Sequence, residues 1–241
     1  MMMHFKEMPY ERVTYEELEG RYRQLMEELR EAADAEACMA VLKKRYELTA
    51  DMTPMDLCYV RHDMDVNDAF YAAEQDYYDE IGPKLNDLSN QLDRLILDSP
   101  HRGDLEKILG HYVFAIMEAA QSGFDSRLIE LAQEENKLLA RYNQLTSNGM
   151  VEWEGERRKR SLMTPLAQSP DREIRRRASL AIADSWEEQR GELEEIFDRL
   201  LDNRRRQAKT MGFSNYVEMS CFRMMRIGYG PGEVAAFREL V

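Results

Sequence analysis

Residues 67–97, NDAFYAAEQDYYDEIGPKLNDLSNQLDRLIL, decide the fold class of this chain. Apolar side chains recur every three or four residues along the stretch, which places them on one face of an α-helix. This apolar stripe consists of Phe70, Ala73, Tyr77, Ile81, Leu85, Leu88, Leu92, Leu95 and Ile96. We expect a long helix, kinked or divided at Gly82-Pro83, because proline lacks the N–H group that the helical ladder needs.

The helical period and helix boundary signals continue outward from this stretch in both directions. The predicted boundaries are, in chain order, a capping box of Thr14 and Glu17, a helix from about Asp34 to Thr49, Thr53 as an N-cap before Pro54, a helix from Asp104 to about Gly123, Asp125 as an N-cap, a start at Ser169-Pro170-Asp171, and an end at Gly212. These signals together predict an all-α body.

One segment departs from the helical period. Val151-Glu152-Trp153 and Arg158-Lys159-Arg160-Ser161 flank a turn at Glu154-Gly155-Glu156. Two short runs around a glycine-containing turn are typical of a β-hairpin. The predicted fold is therefore all-α, an elongated multi-helix lobe with one small β-hairpin near residues 151–161.

Charge and composition exclude several classes of function. The 241 residues carry 33 basic and 46 acidic side chains, a net charge of -13, which argues against nucleic acid or an anionic membrane surface as a partner. Three basic runs, Arg157-Arg158-Lys159-Arg160, Arg175-Arg176-Arg177 and Arg204-Arg205-Arg206, lie among carboxylates. We interpret them as solvated faces with intrahelical pairs, and a local anionic site is the alternative.

The cysteines and the apolar runs favour a soluble cytoplasmic protein. Cys38, Cys58 and Cys221 are far apart and odd in number, which is not a disulfide framework and suits a reducing compartment. The longest apolar run, from Tyr112 to Met117, is far shorter than the roughly 20 residues of a membrane span. The first residues have no apolar core of a secretory signal.

One stretch approaches a calcium-loop pattern. Asp63, Asp65, Asn67 and Glu74 occupy positions one, three, five and twelve of that pattern. Position six should be glycine, and Asp68 stands there instead. We therefore favour a helix N-terminus with acidic residues that complement its dipole over a calcium site.

The histidines do not form a metal motif. His4, His62, His101 and His111 contain no pair at the i, i+4 spacing, so the sequence has no H-E-x-x-H. His62 beside Asp63 could be a ligand or an acid–base pair, but we favour a surface or capping role. Cys-x-x-Cys, phosphate-binding glycine loops and nucleophile elbows are also absent from the sequence. We assign no catalytic residue, no substrate-binding residue and no metal ligand.

The last residues indicate a helix that the sequence does not complete. Residues 228–232, GYGPG, form a cluster of helix breakers, and an amphipathic helix begins after it. Val234, Phe237 and Leu240 share one face of that helix, and no capping residue follows them. We expect the helix at 232–241 to be truncated, so that residues 1–241 are the front part of a longer protein.

Several stretches, in one order along the chain, resemble the oligoendopeptidase F-type zinc metallopeptidases, relatives of thimet oligopeptidase in peptidase family M3. The matching stretches are Asp68 to Glu80 with Pro83-Lys84-Leu85, Glu134 to Leu138 with Tyr142 and Leu145, Val151 to Glu156, Ser169 to Arg175 with Ala178, Glu192 to Leu200, Arg204 to Tyr216, and Arg223 to Tyr229. The resemblance extends from about Met8 to the end of the chain.

The resemblance implies an all-helical, clam-shaped enzyme whose channel admits short peptides. In the family, zinc is held by the two histidines of H-E-x-x-H and a later glutamate, and the glutamate of the motif is the general base. This machinery lies C-terminal to the matched segment, and no position of this sequence matches it. We therefore expect residues 1–241 to supply the N-terminal lobe and part of the channel wall, without binding zinc.

This reading implies short peptides and the missing C-terminal catalytic lobe as partners, with zinc as the cofactor of the complete enzyme. Two other functions stay open: a stand-alone helical module that binds peptides or a partner, and one half of a split peptidase. A helical scaffold unrelated to peptidases is a further alternative. Arg223, Arg226 and Tyr229 lie in a matched segment and could face substrate, but we assign them no site.

Overall fold

The computed structural model describes residues 7–240, and most of them are helical. The α-helices are α1 (Tyr15–Glu31), α2 (Ala35–Asp51), α3 (Thr53–Met64), α4 (Ala69–Leu97), α5 (Arg102–Leu109), α6 (His111–Gly123), α7 (Ile129–Ser147), α8 (Thr164–Ala167), α9 (Arg172–Glu187), α10 (Arg190–Met211), α11 (Tyr216–Arg223) and α12 (Pro231–Arg238). The strands are β1 (Met150–Trp153) and β2 (Glu156–Lys159), and short 3-10 turns precede α7 and α8. His4 and Val241, which the sequence analysis named, lie outside the described residues. The all-α fold with one hairpin is confirmed.

The chain divides into two compact units. The first unit comprises Met1–Gln133 together with Arg205–Val241, and the second comprises Glu134–Arg204. In the first unit, α1 and α3 pack on α4, α2 packs on α1, and α6 contacts both α4 and α11. In the second unit, the hairpin packs on α9.

The long helix α4 forms the centre of the first unit. Tyr78, Leu92 and Ile96 are completely buried in its core. The helix continues through Pro83, so of the two expected outcomes, a kink or a division, the division did not occur. Ile81 and Leu85 on either side of the proline are buried in the same core. Proline inside a helix costs about 3 kcal/mol, and burial of the two flanking side chains contributes about as much in the opposite direction.

A smaller apolar cluster in the first unit positions the C-terminal segment. It consists of Phe124, Leu128, Leu131, Ala132, Ala208 and Met219. Next to this cluster, α6 and α11 approach each other closely at Gly123. A Cβ atom at Gly123 would lie 3.1 Å from the backbone nitrogen of Arg223. The absence of a side chain at Gly123 therefore permits the close packing of the two helices.

The second unit contains the predicted hairpin. Val151, Trp153, Met163 and Ala178 form its core. Glu154 and Gly155 have positive φ values of 55° and 84°, which is the turn that matches the twist of paired strands. The strand was predicted to include Arg160 and Ser161, and this was wrong. Those residues begin a 3-10 turn, because the Arg160 side chain is buried against α9.

Several predicted helix starts are confirmed at the level of hydrogen bonds. The Thr14 hydroxyl accepts from Glu17 N, and the Glu17 carboxylate accepts from Thr14 N at 2.9 Å, which completes the capping box. Asp34 and Asp125 cap the helical segments that follow them. Gly212, at a φ of 82°, follows the end of α10 as expected.

Other predicted boundaries were wrong. Thr53 is the first residue of α3 rather than its cap, because its hydroxyl donates to the carbonyl of Ala50 at 2.6 Å. The segment from Asp104 to Gly123 is two helices, separated at Gly110, whose φ of 87° is outside the helical region. Asp171, rather than Ser169, caps α9.

Candidate functional site

Residues 217–240 place several large apolar side chains on the surface of the first unit. The group, which we call the C-terminal apolar surface, consists of Val217, Phe222, Met224, Met225, Tyr229, Phe237 and Leu240. Phe237 is 66% exposed and Leu240 is 85% exposed, and α12 has no buried residue. Single exposed apolar residues are ordinary, but a group of this size is typical of an interaction surface.

Two features of the backbone shape this surface. Helix α11 is anchored by Met219, which is completely buried, and by Cys221. The chain then turns through Met225 at a φ of 50° and Gly228 at a φ of 85°. A left-handed methionine costs about 1 kcal/mol, and the packing of α11 holds the residue there. The turn carries the chain directly from α11 to α12.

Arg223 is held firmly at the end of α11. Its Nη1 atom donates to Gln207 Oε1 and to the Tyr216 hydroxyl, both at 2.8 Å. Gln207 is 1% exposed, so one of these two contacts lies inside the protein. The fixed guanidinium is thus a positive group at a defined position next to the C-terminal apolar surface.

Arg226 and Tyr229 lie together on the same segment. The Arg226 guanidinium lies over the Tyr229 ring, 5.7 Å from its centroid, which is a cation–π arrangement. Tyr229 is half exposed. Such an exposed pair contributes little stability, roughly 0.5–1 kcal/mol, so it is available to another molecule.

Helix α12 begins at a defined cap. Gly230 N donates to Glu233 Oε2 at 2.8 Å. This hydrogen bond lowers the pKa of the Glu233 carboxyl. The amphipathic helix predicted after the breaker cluster is present, with Phe237 exposed on its apolar face.

The residues of the calcium-like pattern do not come together. Asp68 caps α4 by accepting from Phe70 N at 2.9 Å and from Tyr71 N at 3.2 Å. Glu74 lies about two turns further along α4, and its buried carboxylate accepts from Arg12 Nε. The favoured interpretation, a helix N-terminus, therefore describes this stretch.

His62 is placed differently from the prediction. We favoured a surface or capping role, but its side chain is buried on α3 and its Nδ1 atom has no hydrogen-bond partner. The reason is that α3 packs directly against α4 at this point. His111 Nδ1 lies 2.9 Å from Glu106 Oε1 at the surface. The helical pattern of α3 alone was too weak to identify its buried face.

The described residues do not fit a zinc site. Between residues 7 and 240, no three His, Cys, Asp or Glu side chains are grouped so that they could hold a metal ion. The three cysteines are buried and free. Burial raises the pKa of the Cys58 thiol to about 11, so this thiol is neutral and inert at neutral pH.

The surface pairs that the structure shows for the basic runs lie within the hairpin or join it to α9, rather than within one helix as predicted. Arg160 is not at the surface at all. Its side chain is buried, and the guanidinium stacks on the Trp186 ring at 3.5 Å. It donates to Ser185 Oγ at 2.9 Å and to Gln189 Oε1 at 2.6 Å. Burial lowers the pKa of Arg160. The burial of Arg160 could not be predicted from a run of basic residues. The one related feature of the sequence is the glycine at position 149, which leaves room for the guanidinium.

In the part of the chain that the structure describes, no helix has both the length and the apolar character that crossing a membrane requires.

Comparison with protein-family models identifies the family. The Peptidase M3 N-terminal domain matches residues 5–124, and Peptidase family M3 matches residues 165–237. Together these ranges cover well over half of the chain. The chain belongs to peptidase family M3. The resemblance seen in the sequence is thereby confirmed.

Three solved structures resemble this M3 peptidase chain over nearly all of its residues. PZ peptidase A, solved with an inhibitor, is 35% identical with a TM-score of 0.95 over 99% of the chain. A protein assigned as an oligoendopeptidase F, solved at 3.1 Å, is 34% identical with a TM-score of 0.96, also over 99%. An assigned oligoendopeptidase F from Bacillus anthracis str. Ames is 34% identical with a TM-score of 0.95 over 100%.

The chain is much shorter than these relatives. It spans 42% of the length of the first two and 44% of the third. An oligoendopeptidase-F from Enterococcus faecium shares the fold at 16% identity and a TM-score of 0.56. A comparison with curated protein sequences found no match.

Proposed function

We propose that this chain is the N-terminal part of a zinc-dependent oligoendopeptidase that hydrolyses short peptides. Residues 1–241 contribute a helical lobe and part of a channel wall, and the metal site is supplied by polypeptide outside them.

One observation carries the proposal. The chain superposes on an oligoendopeptidase F and on an inhibitor-bound PZ peptidase at TM-scores of 0.95–0.96 over 99% of its residues. Identity of 34–35% over that length supports a shared activity for the complete proteins. The chain spans less than half of the length of these relatives, which supports the proposal that residues outside it bind the metal.

The residues of this chain have binding and shielding roles in this proposal. Arg223 presents a fixed positive charge that suits a peptide carbonyl or carboxylate. Tyr229 and Met224 offer apolar contact next to it, and such contacts exclude water from a bound peptide. In this proposal the metal-dependent steps belong to polypeptide outside residues 1–241.

Zinc content tests the assignment of roles. The purified chain of residues 1–241 is dialysed against zinc and then analysed by plasma mass spectrometry, beside the protein from the complete reading frame. The proposal predicts about one zinc per complete protein and a trace in residues 1–241. Stoichiometric, chelator-sensitive zinc in residues 1–241 alone would contradict it.

Two alternatives remain, and the reading frame distinguishes them. If the reading frame ends at residue 241 and a neighbouring frame encodes a zinc lobe, the chain is half of a split peptidase. If neither exists, the chain is a stand-alone module that binds peptides or a partner through the C-terminal apolar surface. We also propose a cytoplasmic location, which the three free thiols support.

A further inference from the structure

The segment before α1 is fastened to the rest of the first unit. Residues 8–13, which we call the N-terminal strap, form neither helix nor strand. At one end, Arg61 Nη2 donates to the carbonyl of Met8 at 2.6 Å. At the other end, Val13 N donates to the Tyr78 hydroxyl at 3.2 Å. The strap therefore crosses α3 and α4, more than 50 residues away in sequence.

Both long side chains at the middle of the strap converge on one carboxylate. The Tyr10 hydroxyl donates to Glu74 Oε2 at 2.5 Å, and Arg12 Nε donates to the same oxygen at 2.8 Å. A second guanidinium nitrogen of Arg12 contacts Glu74 Oε1, so the pair is bidentate. Glu74 is 5% exposed, whereas the Arg12 side chain is 44% exposed. The strap thus covers the carboxylate.

The strap also covers a buried thiol. Cys58 on α3 is completely buried, and Tyr10 packs against the apolar cluster that contains it. The Tyr10 ring packs edge-on against Phe70 and Tyr71, with centroids 5.7 and 5.6 Å away. Lifting the strap would remove Tyr10 from this position and expose Cys58 to solvent.

We propose that the N-terminal strap is a releasable cover over Cys58, locked by the negative charge of Glu74, and that loss of this charge opens it while α3 and α4 stay folded. The strap is also held by the hydrogen bonds at Met8 and Val13, by the packing of the Tyr10 ring, and by Arg12 over the Tyr77 ring at 4.5 Å. The bidentate Arg12–Glu74 pair joins two opposite charges, so it is the strongest of these contacts. The inference is independent of the proposed peptidase function.

The charged and titratable groups that face Glu74 determine which changes can release the strap. The strap contributes Tyr10 and Arg12, α3 contributes Cys58, and α4 itself contributes Tyr78. Burial raises the pKa of Tyr10, Cys58 and Tyr78, so these three groups are neutral at neutral pH. Arg12 is the only cation in this set, and protonation of Glu74 or displacement of Arg12 breaks the lock.

The rate of thiol modification tests the proposal in the full chain. Cysteines are alkylated in timed pulses at neutral pH, and each site is quantified by peptide mass spectrometry. Cys38, completely buried on α2, reports unfolding of the same unit. Glu74→Gln should raise the Cys58 rate about tenfold, the effect of losing one good ion pair, and Cys58 should remain modified faster than Cys38. Asp76→Asn, an exposed charge removal on the same helix, should change neither rate.

A second variant guards against a folding defect in Glu74→Gln. Arg12→Gln removes the same pair from the exposed side of the strap and leaves α4 intact. It should accelerate Cys58 modification to a similar extent, with Cys58 again faster than Cys38. If Cys58 is no faster in Arg12→Gln than in Asp76→Asn, or if Cys58 and Cys38 are modified at one common rate, the strap is not a separately releasable cover.

Discussion

Arg204 Nε donates to Glu135 Oε1 at 2.9 Å, and Glu135 is only 4% exposed. This ion pair joins α10 to α7 inside the second unit, where the same two helices are also joined by Asn203, which donates to Glu134 at 2.9 Å. A buried carboxylate is tolerated when a cation and further hydrogen bonds satisfy it. The two acidic residues at 134–135, which belong to a family-like segment, therefore have a structural role.

Removing the cation from this pair should destabilise the protein. Arg204→Met leaves the Glu135 carboxylate buried with weaker compensation, and we expect a loss of about 3 kcal/mol in the free energy of unfolding. Urea denaturation followed by circular dichroism measures it. Arg141→Met breaks an exposed pair with Glu192 between the same helices and should cost under about 1 kcal/mol. Equal losses in both variants would refute the burial argument.

The Glu74 lock should give a defined pH dependence of stability. The hydrogen bond from Arg12, and then that from Tyr10, lower the pKa of Glu74 against the opposing effect of burial. A depressed folded-state pKa means that the unfolded chain binds the proton more readily, so this contribution is present above the unfolded pKa and is lost as the pH falls through the folded value.

Urea unfolding at two pH values measures that contribution. At pH 7 the free energy of unfolding of wild type should be about 2 kcal/mol larger than that of Glu74→Gln. This difference should shrink towards zero once Glu74 is protonated in the folded state. A difference that grows as the pH falls would contradict a lowered pKa of Glu74 in the folded protein.

The packing around Arg160 predicts opposite effects of two glycine substitutions. A Cβ atom at Gly149 would lie 2.5 Å from the Arg160 guanidinium carbon, so Gly149→Ala must displace the group that stacks on Trp186. We expect about 2 kcal/mol of destabilisation and a change in tryptophan fluorescence. Gly191→Ala, inside α10 with open space around it, should stabilise by about 0.5–1 kcal/mol. Thermal melts of both variants separate the two effects, and a neutral Gly149→Ala would contradict the packing.

The C-terminal apolar surface should make the chain of residues 1–241 associate with itself. Phe237→Glu places a charge on the apolar face of α12, and it should lower both the sedimentation-detected association and the binding of an apolar dye by several-fold. Leu162→Glu changes an equally exposed leucine of the second unit and serves as the control. If the two variants self-associate to the same extent, the apolar face of α12 is not the surface through which the chain associates.

Periodicity predicted the fold class because its signals are local. The stripe through Leu85 and Leu92 and the capping box at Thr14 depend on residues three or four apart, and the structure has both. Helix ends that depend on tertiary packing were less predictable. Pro83 does not end α4, because the same core buries both sides of it, whereas Gly110 interrupts a stretch that looked continuous.

The buried polar groups were not predictable in the same way. Glu74 pairs with Arg12 from 62 residues away, and Arg160 reaches Ser185 from 25 residues away. Neither distance leaves a period or a motif in the sequence. His62 was misplaced for the same reason, since its burial depends on how α3 meets α4. The family resemblance, rather than a motif of catalytic residues, led to the proposed function.

Peptide hydrolysis tests the central proposal most directly. An internally quenched peptide of about ten residues is incubated with zinc and either residues 1–241 alone or the protein from the complete reading frame, with a chelator in parallel samples. We predict chelator-sensitive cleavage by the complete protein and none by residues 1–241. Chelator-sensitive cleavage by residues 1–241 alone, at a rate comparable to that of the complete protein, would contradict the account.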